Sequence, residues 1–550
     1  MKKATIPTAL IIAAVSILAA GIFVRKAAAD DHSGRFQFRP NTLVLSRSVY
    51  AGDSSTVSVG QTLPPGCVPG TVPILLIAGG TTTVTIPNAS SSGCNTAVAD
   101  GTYPTVFNNA GADGSFGVTS PIFLDNITTE GFRIGTLPIP SEQIVTSFSS
   151  KSELALNLSL DGKSITFVGY RGGPGFVTAP NQLDVSNSNT PGVVDPSNPV
   201  SSQYFRSVAE VDANGQLSIT EGNAYSGNNG RAAIKANSLY YLTGNDNNGG
   251  LTKGQLTKTR LGVDLVTSTG AELLVPAQMP PQPPDIAKIG DFEITQVGYT
   301  TADKAGKDNN FRGLTIFDNT LYVTKGSGGN GINTVYQVGN AGTLPTGTVS
   351  ELAALPITIL PGFSTALASG VNQAGNPAPV AFPFGIWFAN ANTLYVCDEG
   401  DGTLVPAVNG NVGDAASQAT AGVQKWSLVD VTWQLDYILQ DGLNIGVPYS
   451  VPNYPASLNP ATDGCRNITG KVNGDGTVEI YAVTSTVSAS GDQGADPNKL
   501  VKVIDLLRAT TLRKDDSSLG HFVTLRSAQA GEVFRGITFA PRDHGDDNDR

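Results

Sequence analysis

Residues 311–325 read FRGLTIFDNTLYVTK, and this stretch sets the pattern of the chain. Two runs rich in β-branched and aromatic residues flank a turn at Asp318 and Asn319. The pattern is typical of a β-hairpin, because such side chains suit a pleated surface and Asn and Asp suit the turn. A glycine-rich loop and a third predicted strand, 334–338, follow. The stretch therefore begins a unit of several antiparallel strands.

Related units recur along the chain at intervals of roughly 70 to 80 residues, which is long enough for four strands each. We predict from this repeat an all-β fold, a six-bladed β-propeller. The units have similar lengths and begin with the same strand-turn-strand pattern, which disfavours a pair of β-sandwiches and a β-solenoid. The number of units favours six blades over seven. The units are anchored at Glu153, Arg231, Arg312, Gly385, Arg466 and Arg535.

The last unit contains only an inner strand, 534–541. Residues 41–46 match the second strand of the unit, and residues 122–125 and 132–135 follow as predicted third and fourth strands. We therefore predict that the last blade is closed by N- and C-terminal strands, an arrangement that removes open sheet edges.

The N-terminus has the pattern of an export signal. Lys2 and Lys3 precede an apolar run, 9–24, and three alanines at 27–29 offer a cleavage site. An uncleaved membrane anchor is the alternative, although the run is short for a span of about 20 residues. We predict a secreted or periplasmic protein with no stable membrane span after cleavage. The predicted parts are a signal peptide, 1–29, a propeller, 30–541, an inserted loop region within the split blade, 51–117, and a disordered acidic tail, 542–550.

The composition argues against a nucleic-acid partner and against a His-rich metal site. The formal net charge is −11, and such a surface repels a phosphate backbone, so we expect no nucleic-acid partner. The chain has 3 histidines, of which His32 and His544 lie near the ends of the mature chain, so a His-rich metal site is excluded. A histidine general base would have to be His521.

Four cysteines in an exported chain predict two disulfide bonds. Cys67 and Cys94 share one Gly/Ser/Thr-rich segment and are expected to pair locally. Cys397 and Cys465 are then left for each other. Cys397 ends the second strand of one blade and Cys465 begins the inner strand of the next, so their bond would tie adjacent blades.

A charged residue stands at the start of most predicted inner strands. In a propeller these residues would surround one mouth of the channel. Four guanidinium groups there can bind a phosphate, sulfate or carboxylate, because arginine offers a planar, bidentate fork. Alternatively, each arginine bonds to a neighbouring blade, which duplication of one repeat position would also explain. The candidate ligand-binding residues are Arg231, Arg312, Arg466, Arg535 and Glu153.

Oxygen-rich loops make calcium the one cofactor to consider. The candidate metal ligands are Asp246, Asp398 and Asp401. No loop has the spacing of a twelve-residue calcium loop, and the Asp-Gly pairs are equally typical of hairpin turns. No other cofactor is indicated.

Phrases at four places in the chain also carry a resemblance. They read YSGNNGR at 225–231, GVQKW at 422–426, NKLVKV at 498–503 and FRGITFAP at 534–541. They resemble a family of exported bacterial β-propeller proteins of no established activity, over most of residues 35–541. The resemblance implies the six-bladed fold and the compartment, and it transfers no catalytic residue.

Function is expected on the face that carries the long Gly/Asn/Asp-rich loops, since binding residues concentrate on loops over a rigid scaffold. The chain has no nucleophile elbow, zinc-protease helix, P-loop or dinucleotide fingerprint. We therefore favour a monomeric binding or scaffold module for a small anionic ligand or an extracellular or periplasmic partner. The alternative is a hydrolase of an anionic substrate such as a phosphoester, which would use the arginine cluster and calcium.

Overall fold

The computed structural model of the chain describes residues 36–52, 57–63, 71–76, 80–85, 95–97, 100–104, 118–148, 150–171, 188, 190–191, 204–226, 228–245, 271–274, 286–290, 292, 294–300, 310–326, 331–402, 418–488, 494–513 and 516–543. The predicted signal peptide, 1–29, lies outside these residues, as do most of the inserted region and residues 544–550 of the predicted tail.

Strands make up nearly all of the regular structure in the described part of the chain. One short helix, α1 (Val349–Ala353), and short 3-10 turns at Ile294–Val297 and Ala456–Leu458 interrupt them. The strands are β1 (Leu43–Val49), β2 (Thr62–Leu63), β3 (Thr71–Leu76), β4 (Gly80–Thr85), β5 (Asn95–Thr96), β6 (Thr119–Ser120), β7 (Ile122–Ile127), β8 (Arg133–Pro138), β9 (Ile144–Ser147), β10 (Asn157–Leu158), β11 (Ser164–Arg171), β12 (Arg206–Asp212), β13 (Leu217–Gly222), β14 (Gly230–Ala236), β15 (Leu239–Gly244), β16 (Ala271–Leu274), β17 (Ile286–Ile289), β18 (Phe311–Phe317), β19 (Thr320–Lys325), β20 (Thr334–Val338), β21 (Ile357–Ile359), β22 (Pro383–Asn390), β23 (Thr393–Asp398), β24 (Gly422–Val429), β25 (Thr432–Leu439), β26 (Ala461–Val472), β27 (Thr477–Val487), β28 (Lys499–Leu506), β29 (Val523–Ser527) and β30 (Glu532–Phe539).

The strands form a β-propeller, as the repeat predicts. Five antiparallel sheets have four strands each, in the orders β30-β1-β7-β8, β14-β15-β16-β17, β18-β19-β20-β21, β22-β23-β24-β25 and β26-β27-β28-β29. Two-stranded sheets, β2-β5 and β3-β4, lie within the region predicted as an insertion. The all-β propeller is therefore confirmed.

The number of four-strand blades in the described part of the chain is five, so the prediction of six is wrong. Residues predicted to start another regular blade instead belong to a six-stranded sheet, in which β11 pairs with β12, β9 and β10. The predicted inner strand is reduced there to β10, two residues long. Leu154 explains the interruption, because its left-handed backbone (φ 61°) cannot continue an extended strand.

The hairpin predicted at residues 311–325 is present as β18 and β19. Asp318 and Asn319 both have positive φ, 45° and 51°. Two such residues make a type I′ turn, whose twist matches the right-handed twist of the flanking strands.

Neighbouring inner strands approach closely because a glycine faces the next blade. A Cβ atom on Gly313 would overlap the backbone carbonyl of Phe384, and one on Gly385 would approach the carbonyl of Arg466. The absence of a side chain at these two positions lets the strands β18, β22 and β26 pack against one another.

The apolar core lies between adjacent sheets. Phe317 of β18 stacks on Phe388 of β22, with ring centroids 4.8 Å apart. Tyr336 packs edge-on against Phe292 and Phe311, with centroids at 4.8 and 5.2 Å. Such contacts remove large aromatic surfaces from water and hold successive blades together.

The two ends of the described chain meet in one sheet. β30 pairs antiparallel with β1, from Leu43 opposite Phe539 to Val49 opposite Glu532. β1 pairs on its other side with β7, which in turn pairs with β8. Val533, Phe534 and Ile537 of the C-terminal strand are buried. Among the described residues, no helix has the length and apolar character needed to cross a bilayer.

Candidate functional site: the buried ionic centre

A loop segment, residues 150–156, lies where several sheets meet, and we call it the central segment. Ser46 of β1 donates a hydrogen bond from Oγ to the carbonyl of Leu154 at 2.8 Å. Arg312 of β18 donates to Oγ of Ser152 at 2.5 Å, and Asn229, next to β14, donates to Oγ of Ser150 at 2.8 Å. The central segment therefore connects three blades through polar contacts.

Glu399, directly after β23, is the anion of this centre. Its carboxylate lies 3.5 Å from Nζ of Lys151 in the central segment and 3.1 Å from Nε of Arg466 in β26. Burial works to raise the pKa of Glu399, but the charges of Lys151, Arg466 and Arg312 outweigh it and lower this pKa below its ordinary value. Glu399 is therefore ionised and neutralises a buried group of cations.

Asp398, predicted as a metal ligand, has a different environment. Its carboxylate is buried and accepts hydrogen bonds from the backbone N–H of Phe382 at 2.8 Å, from that of Gly400 at 3.0 Å and from Nε2 of Gln424 at 3.0 Å. Burial raises the pKa of Asp398 to about 6 despite the two N–H donors. These contacts hold the turn after β23 in place.

Asp463, at the start of β26, is a second buried acid. Its Oδ2 accepts the N–H of Gly402 at 2.9 Å, and its Oδ1 has no hydrogen-bond partner among the described residues. Burial, together with the nearby charges of Asp401 and Glu399, raises the pKa of Asp463 to about 8. Near neutral pH this carboxyl therefore holds a proton inside the protein.

This proton makes the stability of the fold depend on pH. The pKa of Asp463 is about 8 in the folded protein against an ordinary 3.8, so the folded state binds a proton that the unfolded chain releases. The associated stability is complete below about pH 4 and is lost as the pH rises to about 8. We expect the free energy of unfolding to fall across this range and Asp463→Asn to flatten the fall, as measured by urea unfolding at several pH values.

The control for this prediction is Asp430→Asn, a change at an exposed acid in the turn between β24 and β25. It is expected to leave the slope of stability against pH unchanged. An Asp463→Asn variant with the same slope as the natural chain would contradict the assignment.

The remaining predicted arginines also bond to protein groups. Arg231 donates to the carbonyl of Phe311 at 2.9 Å and to Oδ1 of Asn310, both next to or within the following inner strand. Arg535 donates to the carbonyl of Gly494 at 2.7 Å and to that of Phe148. The four arginines are buried, and each bonds to a different segment within the described part of the chain, so their role as ligand-binding residues stays a prediction.

Glu153 lies in the central segment and is also buried. Its carboxylate accepts hydrogen bonds from Thr146 Oγ1 at 2.8 Å, from the N–H of Ser147 at 3.1 Å, from Asn229 at 3.0 Å and from the hydroxyl of Tyr170. These donors satisfy the carboxylate, so Glu153 links the six-stranded sheet to the blade that begins at β14.

The predicted metal ligands do not meet within the described residues. Asp246 lies outside them, Asp401 is exposed, and Asp398 is buried. No group of three or more His, Cys, Asp or Glu side chains with metal-binding geometry occurs in the described ranges. A calcium site therefore stays a prediction.

The disulfide bond Cys397–Cys465 is present and confirmed, with Cα atoms 5.2 Å apart. It joins β23 of one blade to β26 of the next. In the blade before, Thr324 occupies the position of Cys397, and its hydroxyl donates to the carbonyl of Phe384 in the following inner strand. The cystine thus replaces an inter-blade hydrogen bond by a covalent one. Cys67 and Cys94 lie outside the described residues.

Sequence reasoning missed Lys151, Glu399 as its partner, and Asp463. Glu399 was visible as one of two adjacent acids, but adjacency does not reveal which cations pack against it. Lys151 lies in a loop segment with no periodic pattern. Asp463 lies three residues before Arg466, just before a predicted inner strand, and nothing in that position indicates that its carboxyl is buried.

Neither a comparison with protein-family models nor one with curated proteins finds a match. Among solved structures, the hemagglutinin-neuraminidase of parainfluenza virus 5 with the ligand DANA is 10% identical with a TM-score of 0.29, over 90% of this chain and 98% of that one. An apocarotenoid oxygenase variant from Synechocystis is 7% identical with a TM-score of 0.34, over 92% and 98%. AztD from Citrobacter koseri is 10% identical with a TM-score of 0.28, over 78% and 98%. At these values the similarities carry no argument about this chain, and its fold rests on its own sheets.

Proposed function

We propose that the chain is a binding or scaffold propeller that is secreted or periplasmic, and that its buried arginines hold the blades together. The observation that carries this proposal is the set of protein partners around the arginines. Arg312 bonds to Ser152, Arg466 to Glu399, and Arg535 to the carbonyl of Gly494. Each of these guanidinium groups thus already makes contacts within the protein, which supports a structural role for it.

The same observation weighs against the alternative, a hydrolase of an anionic substrate. A hydrolase of this kind needs several guanidinium groups open to one pocket, whereas each of these arginines is buried and bonded to a different segment. The acids beside them serve the same centre, since Glu399 compensates Lys151 and Arg466.

The compartment is supported by the cystine. Disulfide bonds persist in oxidising surroundings such as the periplasm or the extracellular space and are rare in the cytosol. The bond between Cys397 and Cys465 thus fits export, as does the pattern of residues 1–29.

We also propose that the pairing of β30 with β1 closes the ring. Support comes from the register, which runs over six pairs of residues and continues into β7 and β8. A closed ring leaves no inner strand without a neighbour, and it gives the scaffold a rigid frame for its loops.

A thermal-shift screen of the natural chain and an Arg312→Gln variant tests the proposed role of the arginines. The probes are inorganic phosphate, calcium chloride and N-acetylneuraminic acid. We expect Arg312→Gln to lower the free energy of unfolding by about 3 kcal/mol in every buffer, because it leaves Glu399 with less compensation. Arg508→Gln, at an exposed arginine, is the control and is expected to change little.

Two results would contradict the proposed structural role of the arginines. A melting temperature of the natural chain that rises saturably with phosphate, and that no longer does so in the Arg312→Gln variant, would place a ligand on the arginines. Measurable turnover of a phosphoester that is lost with the same substitution would favour the hydrolase.

A further inference from the structure

His521 is the histidine that the sequence singles out and that the ionic centre does not use. Its Nδ1 lies 2.7 Å from Oδ2 of Asp441, in the turn after β25. The N–H of Phe522 also donates to the backbone carbonyl of Asp441 at 2.8 Å. Gly442 permits this approach, because a Cβ there would overlap the carbonyl of Phe522. The Asp441 carboxylate therefore holds the imidazole, and the backbone bond holds the segment that carries it.

The carboxylate of Asp441 orients the ring. A hydrogen bond from Nδ1–H to a carboxylate leaves Nε2 of a neutral histidine as an acceptor. His521 makes no other hydrogen bond within the described residues, and its side chain is 45% exposed. Nε2 is thus available to a ligand.

The imidazole faces a cleft of about 280 Å³ between β29 and the turn that joins β7 to β8. Its polar lining consists of Thr129, Glu130, Lys502, Ser518 and His521. Arg526 of β29 holds the turn in place by donating to the carbonyl of Gly131 at 3.2 Å. Two blades therefore build one cleft.

The polar groups of the cleft combine donors with acceptors. Glu130 accepts a hydrogen bond from Oγ1 of Thr129 at 2.6 Å, and hydrogen bonds from Thr129 and Thr128 lower its pKa. Lys502 donates to Glu479 at 2.9 Å, which offsets part of its charge. The carboxylates of Glu130, Asp441 and Glu479 lie in the cleft or bond to its lining residues, so the cleft disfavours an anion and suits a neutral ligand with several hydroxyl groups.

The remaining lining is apolar. Ile504, Val523 and Leu525 contribute to the cleft, and Val523 is 50% exposed. The turn 128–132 also carries Phe132, which is 72% exposed. The side chains of Ile504, Val523 and Leu525 give the cleft a non-polar wall beside its polar groups, a combination that small-molecule sites use.

We propose that this cleft binds one neutral sugar unit of a glycan. A hexose presents hydroxyl groups around its rim and C–H groups on its faces, which matches the polar groups around His521 and the apolar surface of Ile504, Val523 and Leu525. The inference rests on the proposed binding function and names its ligand class, but it uses a site distinct from the arginines.

Calorimetric titration of the full chain with the methyl glycosides of glucose, galactose, mannose and N-acetylglucosamine tests the proposal. We expect saturable binding of at least one of them with Kd on the order of 1 mM or below. Val523→Trp, which fills the cleft, is expected to abolish binding, and His521→Gln and Glu130→Gln are each expected to weaken it at least fivefold.

Val431→Trp is the matched control, because Val431 is 77% exposed on a different hairpin. Binding should persist in that variant. Failure of all four sugars to bind saturably, or equal binding by the natural chain and the Val523→Trp variant, would overturn the proposal. Either result is distinct from the phosphate response that would contradict the role of the arginines.

Discussion

A chain that ends at residue 531 is expected to lose the cooperative unfolding transition of the natural protein. The truncation removes β30, the strand that pairs with β1 from Val49 to Leu43. Val533, Phe534 and Ile537 are buried there, and each such side chain contributes about 1.5 to 3 kcal/mol. The loss is therefore comparable to the whole stability of an ordinary domain, about 5 to 15 kcal/mol. Circular dichroism during urea titration measures it.

Two further samples make this test specific. A chain that ends at residue 542 keeps β30 and is expected to unfold like the natural protein. A synthetic peptide of residues 530–543, added to the chain that ends at 531, is expected to restore the transition in a concentration-dependent way. Unfolding of the shorter chain at the natural midpoint would show that the terminal strand does not close the ring.

Removal of the inter-blade cystine is expected to cost about 4 kcal/mol of unfolding free energy. The bond joins residues separated by 68 positions, so it restricts a long loop of the unfolded chain. A Cys397→Ala, Cys465→Ala double variant, compared with the natural chain by urea unfolding without reductant, measures this contribution.

The neighbouring blade suggests the control. Thr324 stands at the position of Cys397 and bonds to the carbonyl of the next inner strand. A Cys397→Thr, Cys465→Ala variant is therefore expected to regain about 1 kcal/mol over the double alanine variant, the usual net value of one hydrogen bond. Equal stability of the natural chain and the double alanine variant would mean that the blades are held together without the cystine.

Local patterns account for the elements that the sequence predicts correctly. The hairpin at 311–325 is readable because β-branched and aromatic residues fill both strands and its turn residues tolerate positive φ. The repeat of such hairpins predicts a propeller, since each unit can bury its faces only against similar units. The partners Cys397 and Cys465 follow from the expected local pairing of Cys67 with Cys94, which leaves them for each other.

The error in blade number has a local cause that composition does not reveal. Residues 153–156 match the repeat, yet Leu154 adopts a left-handed backbone and the strand shrinks to Asn157–Leu158. Contacts of the central segment with Ser46 and Arg312 accompany this conformation. Tertiary contacts here override the propensity of the segment for an extended strand.

Residue types and their periodicity were thus enough to indicate strands, turns and the repeated unit, because these depend on neighbours a few positions apart. The ionic centre depended on the tertiary structure. Lys151, Glu399 and Arg466 come from three distant parts of the chain and meet only when the blades assemble. The same holds for His521 and Asp441. Burial and long-range charge determine what these groups can do, and neither quantity is carried by a local pattern.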